Sequence, residues 1–309
     1  MSGLAMHRPS ALSSADVVSS SSPSSHSKPH SREFVCGWGA ACIETCVLFP
    51  LHKVTFRQQI HGIKIKTAVK QIAGEGVVHL YRGLLPPLIQ KTSSRALMFG
   101  MYEEYQRLFG CHGFGRHHFT ACHALAAFFA GTTEAFLNPL ERVQVLLQAD
   151  AYNLKFRNTM HAFWALRHYG ISEYYRGISM VVLRNGVSNV TFFALRNPIR
   201  RLMSPDQDPS QVRSMGATFG SGALLGAFNS TLFFPVNVVK ARMQCQLGGA
   251  FESSWTVLKI IWKERKGSFN KFLRGWEINM TRSILTWGLT NASFELLEKL
   301  CVYLTVLDS

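Results

Sequence analysis

The chain of 309 residues has little of what a soluble protein of its length carries: only 17% of its residues are charged, against about a quarter in soluble domains. Acids are scarcer still, 18 against 33 bases, for a formal net charge of +15. It also lacks the usual signature of a membrane protein. Although 47% of residues are hydrophobic, mean hydropathy is only +0.06, and no stretch reaches the ~18 uninterrupted apolar residues of a lipid-embedded helix. Any spanning helices must carry polar groups.

Other absences narrow the class. The seven cysteines (Cys36, Cys42, Cys46, Cys111, Cys122, Cys245, Cys301) are odd in number and include no C-x-x-C pair, so no disulfide framework is expected. Residues 1–32 are Ser-rich. They have neither the apolar core of a secretory signal nor the arginines of a transit peptide, and read as a disordered tail. Gly37-Trp38-Gly39 lacks the third glycine and the strand-turn-helix context of a dinucleotide fingerprint. No nucleophile, base and orienter cluster together, so neither an enzyme nor a cofactor is expected. The bases are dispersed among apolar runs rather than gathered into stripes with stacking aromatics, which argues against nucleic acid. In a membrane protein such charge suits anionic lipid or an anionic solute.

What the chain does have is a repeat. The segments PLHKVTFRQQ from Pro50, PLERVQVLLQ from Pro139 and PVNVVKARMQ from Pro235 align, each after an apolar run rich in small residues. Downstream of each stands a second signature: Glu75-Gly76 before Tyr81-Arg82-Gly83, Gly170 before Tyr175-Arg176-Gly177, and Gly267 before Leu273-Arg274-Gly275. The prolines fall about 89 and about 96 residues apart, a period that identifies internal repetition. The expected fold is an all-α membrane protein of six transmembrane helices in three pseudo-symmetric helix-pair repeats, over 33–112, 113–208 and 209–309. Spans are expected near 34–58, 85–108, 121–148, 178–202, 214–244 and 277–303. Proline in three of them predicts three bends. Small residues four apart (Gly37 and Ala41, Ala127 and Gly131, Gly222 and Gly226) predict close helix approach.

On these motifs the chain resembles the mitochondrial carrier family from about Phe34 onwards. The family's pattern is Pro, an acid two residues on, bases at five and usually seven, Gln at nine, then Gly and aromatic-Arg-Gly. The wordings FPLHKVTFRQQI, NPLERVQVLLQ, FPVNVVKARMQ, GLLPPLIQKT and ALMFGMYEEY are similar to its NAD-carrier branch. The resemblance implies NAD+ or a related nucleotide moved across the mitochondrial inner membrane by alternating access, cardiolipin as a lipid partner, and a functional monomer. A carrier of another nucleotide or phosphorylated cofactor such as ATP or coenzyme A remains open, as does a carrier-like scaffold that no longer transports.

Offsets two, five and nine from each proline share one helical face, so an acid of one repeat can pair with a base of the next. In the family this closes the matrix gate. Here the acid positions hold His52, Glu141 and Asn237, the base positions Thr55, Gln144 and Lys240, and the glutamine positions Gln59, Gln148 and Gln244. Glu141 with Lys240 is the one complete ion pair expected, braced by the glutamines. The even-numbered helices carry Glu103 with Gln106, Asn197 with Arg200, and Glu295 with Glu298. The family's pattern makes these a cytoplasmic gate with Glu103 and Arg200 as its surviving pair.

Thirteen residues before Glu103, Asn197 and Glu295 stand Gln90, Arg184 and Arg282, roughly 20 Å along the helix and near mid-membrane. The resemblance implies substrate contact there, with Lys91 beside Gln90 as a further cation and Asn185 beside Arg184. Cations at this depth are functional by default, and the planar guanidinium suits phosphate. Pairing with Glu44 or Glu134 is the structural alternative. Glu134, two turns before Glu141, has only Thr45 and Ser230 as counterparts, and this asymmetry suits a solute with unlike ends. Cys111-His112, His117-His118 and Cys122-His123 match no closed zinc pattern and read as a polar loop rather than a metal site. Arg82-Gly83, Arg176-Gly177 and Arg274-Gly275 precede helices, where free amides favour phosphate. The resemblance implies cardiolipin at these turns.

Overall fold

A computed structural model describes residues 29–111, 119–203 and 211–307. The expected tail, 1–32, lies almost wholly outside them, as do His112, His117 and His118. Among the described residues every regular element is helical. The first copy contributes α1 (Pro29–His61), the short α2 (Ile65–Glu75) and α3 (Leu85–Leu108). The second contributes α4 (Ala121–Thr133) and α5 (Asn138–Gln148), then α6 (Thr159–Arg167) and α7 (Ile178–Met203). The third contributes α8 (Gln211–Leu232) and α9 (Phe234–Cys245), then α10 (Ser254–Glu264) and α11 (Trp276–Leu307).

The six spans, counting α4 with α5 and α8 with α9 as one each, form a closed ring. α3 packs on α1 and α4, α7 on α4 and α8, and α11 on α8 and back on α1. By length and apolar composition, among the described residues only Ile171–Ile199, which holds most of α7, and the bent pair Gly220–Leu232 with Phe234–Cys245 qualify as candidate spans. The other spans carry the polar load that the composition requires.

The three prolines act unequally. α8 and α9 meet at 58° around Phe233, and α4 passes into α5 through the 3-10 turn Glu134–Leu137. α1 continues as helix through Pro50, without the break in the helix that the other two copies show. The inner halves of the odd-numbered spans still converge, burying Phe56 and Ile60 of α1 with Val145 and Ala149 at the end of α5 and Ala241 of α9. This apolar plug closes one end of the bundle.

Small residues set the spacing at the other contacts. A Cβ on Gly131 would stand 2.5 Å from the Asn185 carbonyl oxygen, and Cβ atoms on Gly222 and Gly226 would strike the Trp287 ring. Gly37 meets nothing within 4 Å; the close contact in that copy belongs to Gly39, beneath Leu297. Each short helix is amphipathic, with Ala68 and Ile72, Ala162 and Leu166, or Val257 and Ile261 facing inward. Asn158 and Ser253 cap the later two by accepting from His161 N and Thr256 N, which satisfies an amide left free in the first turn.

Candidate functional site

Immediately beyond the apolar plug the odd spans hold the expected ion pair. Lys240 Nζ lies 2.5 Å from Glu141 Oε1, with side chains only 13% and 16% exposed. His52 Nδ1 and Gln148 Nε2 stand 3.3 Å apart, so the first and second copies meet through the acid position of one and the glutamine position of the other. The glutamines do more than brace the ion pair. Gln148 serves His52, and Gln244 donates to Asn138 Oδ1 at the kink. Thr55 turns its hydroxyl back to the Leu51 carbonyl of its own helix. Gln59, Gln144 and Asn237 line the same cavity as the pair.

That cavity, about 130 Å³, is bounded by Arg184 and Arg282 as well as by Glu141, Lys240 and His52. It is smaller than the roughly 300–1,000 Å³ of whole ligand pockets. Arg184 donates to Asn185 Oδ1 at 2.8 Å and Arg282 to Asn279 Oδ1 at 3.2 Å. Both arginines leave Nε buried without a hydrogen-bond partner. A buried guanidinium N–H without an acceptor costs about as much as a lost charged hydrogen bond, and an incoming anion would supply that acceptor.

The other site residues stand higher on the same walls. Glu134, 9% exposed, accepts from Ser94 Oγ at 2.6 Å and Asn189 Nδ2 at 2.8 Å. Lys91 Nζ lies 2.5 Å from Glu44 Oε2; pairing with a resident carboxylate, raised as an alternative for all three cations, is realised as a direct salt bridge at Lys91. Gln90, next to it, is half-buried. At the outer end Glu103 and Asn197 are exposed and Gln106 half-buried. The side chains of Arg200, Glu295 and Glu298 lie outside the described residues. The contact described there between the second and fourth spans is aromatic: Tyr102 stacks on Phe193 at 3.8 Å, and Phe99 meets the same ring edge-on at 5.8 Å.

Two features were not read from the sequence. Cys111 and Cys122 form a disulfide, Cα atoms 5.9 Å apart. It is a single bridge where no disulfide framework was expected, and it takes both sulfurs out of the suggested Cys/His cluster. The second feature is a set of arginine ties between copies. Arg82 donates to Asn153 O and Oδ1 at 2.7 and 3.0 Å, to Tyr152 O and to Phe156 O. Arg176, held by Glu173, donates to the Gly248 and Gly249 carbonyls at 3.0 and 2.7 Å. Arg274 donates to Gly62 O at 2.8 Å. These guanidinium groups, expected at lipid phosphate, are engaged by protein carbonyls. The glycines beside them have φ of +83°, +80° and +100°, and a Cβ there would press on Leu147, Gln244 or Gln58 of the next copy.

Behind the gate face lies a second layer of ions. Arg57 pairs with Glu75 at 2.7 Å and Arg242 with Glu264 at 2.8 Å, each joining the base seven residues after the proline to the acid ahead of the glycine signature. In the second copy Leu146 occupies the base position, and Arg142 with Glu173 at 2.9 Å replaces the tie.

Three interlocked helix-pair copies around a cationic cavity sealed at one end define a membrane solute carrier. The chain belongs to the mitochondrial carrier family: the pattern described as "Mitochondrial carrier protein" matches residues 26–113, 116–207 and 211–303. It is therefore a multi-pass transporter of the mitochondrial inner membrane, not an enzyme. The chain is 46% identical over 268 residues to the human mitochondrial nicotinamide adenine dinucleotide transporter SLC25A51, covering 87% of this chain and 89% of that one. It is equally similar to the mouse protein of the same name over 269 residues. Human solute carrier family 25 member 53 is 31% identical over 281 residues, 87% of this chain and 88% of the relative.

Proposed function

We propose that this carrier moves NAD+ across the inner membrane by alternating access. The observation that carries the reading is the pair Arg184 and Arg282, facing one cavity with a buried N–H each left unfilled, in a chain 46% identical to named NAD transporters. Two guanidinium forks suit a pyrophosphate, which offers several oxygens at close spacing. Glu134, with Ser94 and Asn189 holding both its oxygens, supplies a negative pole for the cationic nicotinamide end. Lys91, Gln90 and Asn185 complete the wall.

The matrix gate is the Glu141–Lys240 pair with His52, Gln148, Gln244, Gln59, Gln144, Asn237 and Thr55 around it. The apolar plug beyond supports this reading, because a charged solute cannot cross it while the odd spans are together. Glu103, Gln106, Asn197, Arg200, Glu295 and Glu298 serve the cytoplasmic gate, supported by their common register on the even spans. Gly83, Gly177 and Gly275 open helices whose free amides suit cardiolipin phosphate. Since their neighbours Arg82 and Arg176 are engaged by several carbonyls and Arg274 by the Gly62 carbonyl, the lipid contact falls chiefly to backbone. Division into copies 33–112, 113–208 and 209–309 and function as a monomer agree with a ring closed within one chain.

The test is uptake of labelled NAD+ into liposomes carrying purified protein. R184Q and R282Q are each expected to lower uptake at least about tenfold, the scale of one charged hydrogen bond lost, while unfolding as cooperatively as the parent. Parental uptake rates in both variants would rule out this site.

A further inference from the structure

Glu44 is the acidic side chain of this region that the transport reading leaves without a task. It stands on α1, 3% exposed. At membrane depth such a carboxylate persists only with partners or a function. Its partners come from two other spans: Lys91 of α3 at Oε2, 2.5 Å away, and the Thr286 hydroxyl of α11, donating to Oε1 at 3.0 Å. It also lies within electrostatic reach of Arg282, as Glu134 does of Arg184. The site therefore combines three cations, Lys91, Arg184 and Arg282, with two carboxylates. The Glu141–Lys240 pair below neutralises itself.

We propose that Glu44 is a specificity-determining residue: by neutralising Lys91 it fixes the solute site at one excess positive charge, favouring a dinucleotide of net charge −1 over one of −2. The proposal rests on the dinucleotide reading above. Oxidised nicotinamide adenine dinucleotide carries two phosphate charges and one pyridinium charge, net −1; reduction of the ring removes the positive charge and leaves −2. A partly dry cavity penalises any imbalance between site and solute, because charges there are poorly screened. Without Glu44 the same walls would present two excess positive charges and suit the more anionic partner. A Glu44 that only locked α1 to α3 would behave differently, since its loss would slow both solutes alike.

The experiment uses full-length protein, the parent with E44Q, K91Q and the double variant E44Q/K91Q, reconstituted in liposomes. Uptake of labelled NAD+ and of labelled NADH is measured, each in competition with the other, and a thermal unfolding transition in detergent checks folding. E44Q is expected to shift the NAD+ to NADH preference towards NADH about tenfold, the order expected for one added charge roughly 12 Å from the solute's at an effective dielectric of about 20. The double variant, returned to one excess charge, should recover the parental preference even though loss of Lys91 slows both solutes. An unshifted preference in folded E44Q, or a shift that the double variant fails to reverse, overturns the proposal. If E44Q does not fold, K91Q decides: with the excess positive charge removed the preference should shift further towards NAD+, and an unshifted preference overturns the proposal. A parent that transports neither solute removes the dinucleotide reading and this proposal together, whereas an unshifted preference in a working transporter removes this proposal alone.

Discussion

At the scale of single residues the carrier depends on which charges are matched and which are left open. Glu141 and Lys240 are matched and largely buried, so removing one partner leaves the other desolvated and unpaired. Removing both exchanges a charged pair for a neutral one, which costs far less. K240Q is expected to lose about 2 kcal/mol of stability, below the full value for a buried pair because each side chain retains some exposure. E141Q/K240Q should regain most of that loss. Unfolding midpoints of the two single variants and the double variant in detergent give the coupling directly; strictly additive losses would show that the two side chains do not act as a pair. Arg184 and Arg282 are the opposite case, each with a buried Nε that no protein acceptor meets among the described residues. Thus the same residue types are paired at one level of the bundle and left with an unfilled N–H at the next.

At the scale of elements, helix approach is controlled by a few side chains too small to keep backbones apart. A methyl group on Gly131 would meet the Asn185 carbonyl at 2.5 Å and Gly186 N at 2.7 Å, backbone atoms that cannot rotate away. G131A should therefore destabilise the protein by about 1–3 kcal/mol, as overpacking does, and displace Asn185, the acceptor of Arg184. G37A, with nothing within 4 Å, should leave stability unchanged. Thermal melts of the two variants side by side make the comparison, and equal midpoints would contradict it. The spans themselves were legible in the sequence because each copy repeats its proline, glutamine and aromatic-Arg-Gly marks at fixed helical offsets. What could not be read were contacts set by helix phase or by distant chain. That Gly39 and not Gly37 touches α11 depends on the rotation of α1. Lys91 finds Glu44 47 residues away, and Cys111 finds Cys122 only because α3 and α4 end side by side, further fixed by Tyr105, Phe109 and Phe129. A repeat pattern gives the register of each helix but not which unrepeated side chain stands opposite.

At the scale of the whole molecule, three copies that cannot each bury their own faces become one body through ties running in a single sense around the ring. Arg82 of the first copy caps carbonyls of the second, Arg176 of the second caps the third, and Arg274 of the third returns to Gly62 of the first over 212 residues of chain. Arg265 strengthens the last closure by donating to Gln59 O. The burdens are unequal. Arg176 is 3% exposed, holds two glycine carbonyls and shares Glu173 with Arg142, so its loss leaves a buried carboxylate with one cation and several carbonyls without a donor. Arg82 serves three carbonyls and one side-chain oxygen. Arg274 makes one such bond while Arg265 remains beside it. Because an unsatisfied buried group costs about 1–3 kcal/mol, substitution by alanine should lower the unfolding midpoint most for Arg176, less for Arg82 and least for Arg274. If these arginines acted chiefly by holding lipid phosphate, the three losses would be alike, and each would be largest in cardiolipin-containing vesicles. Melting all three variants with and without that lipid separates the two accounts: a ranked, lipid-independent loss marks ties between copies, and an equal, lipid-dependent loss marks lipid sites.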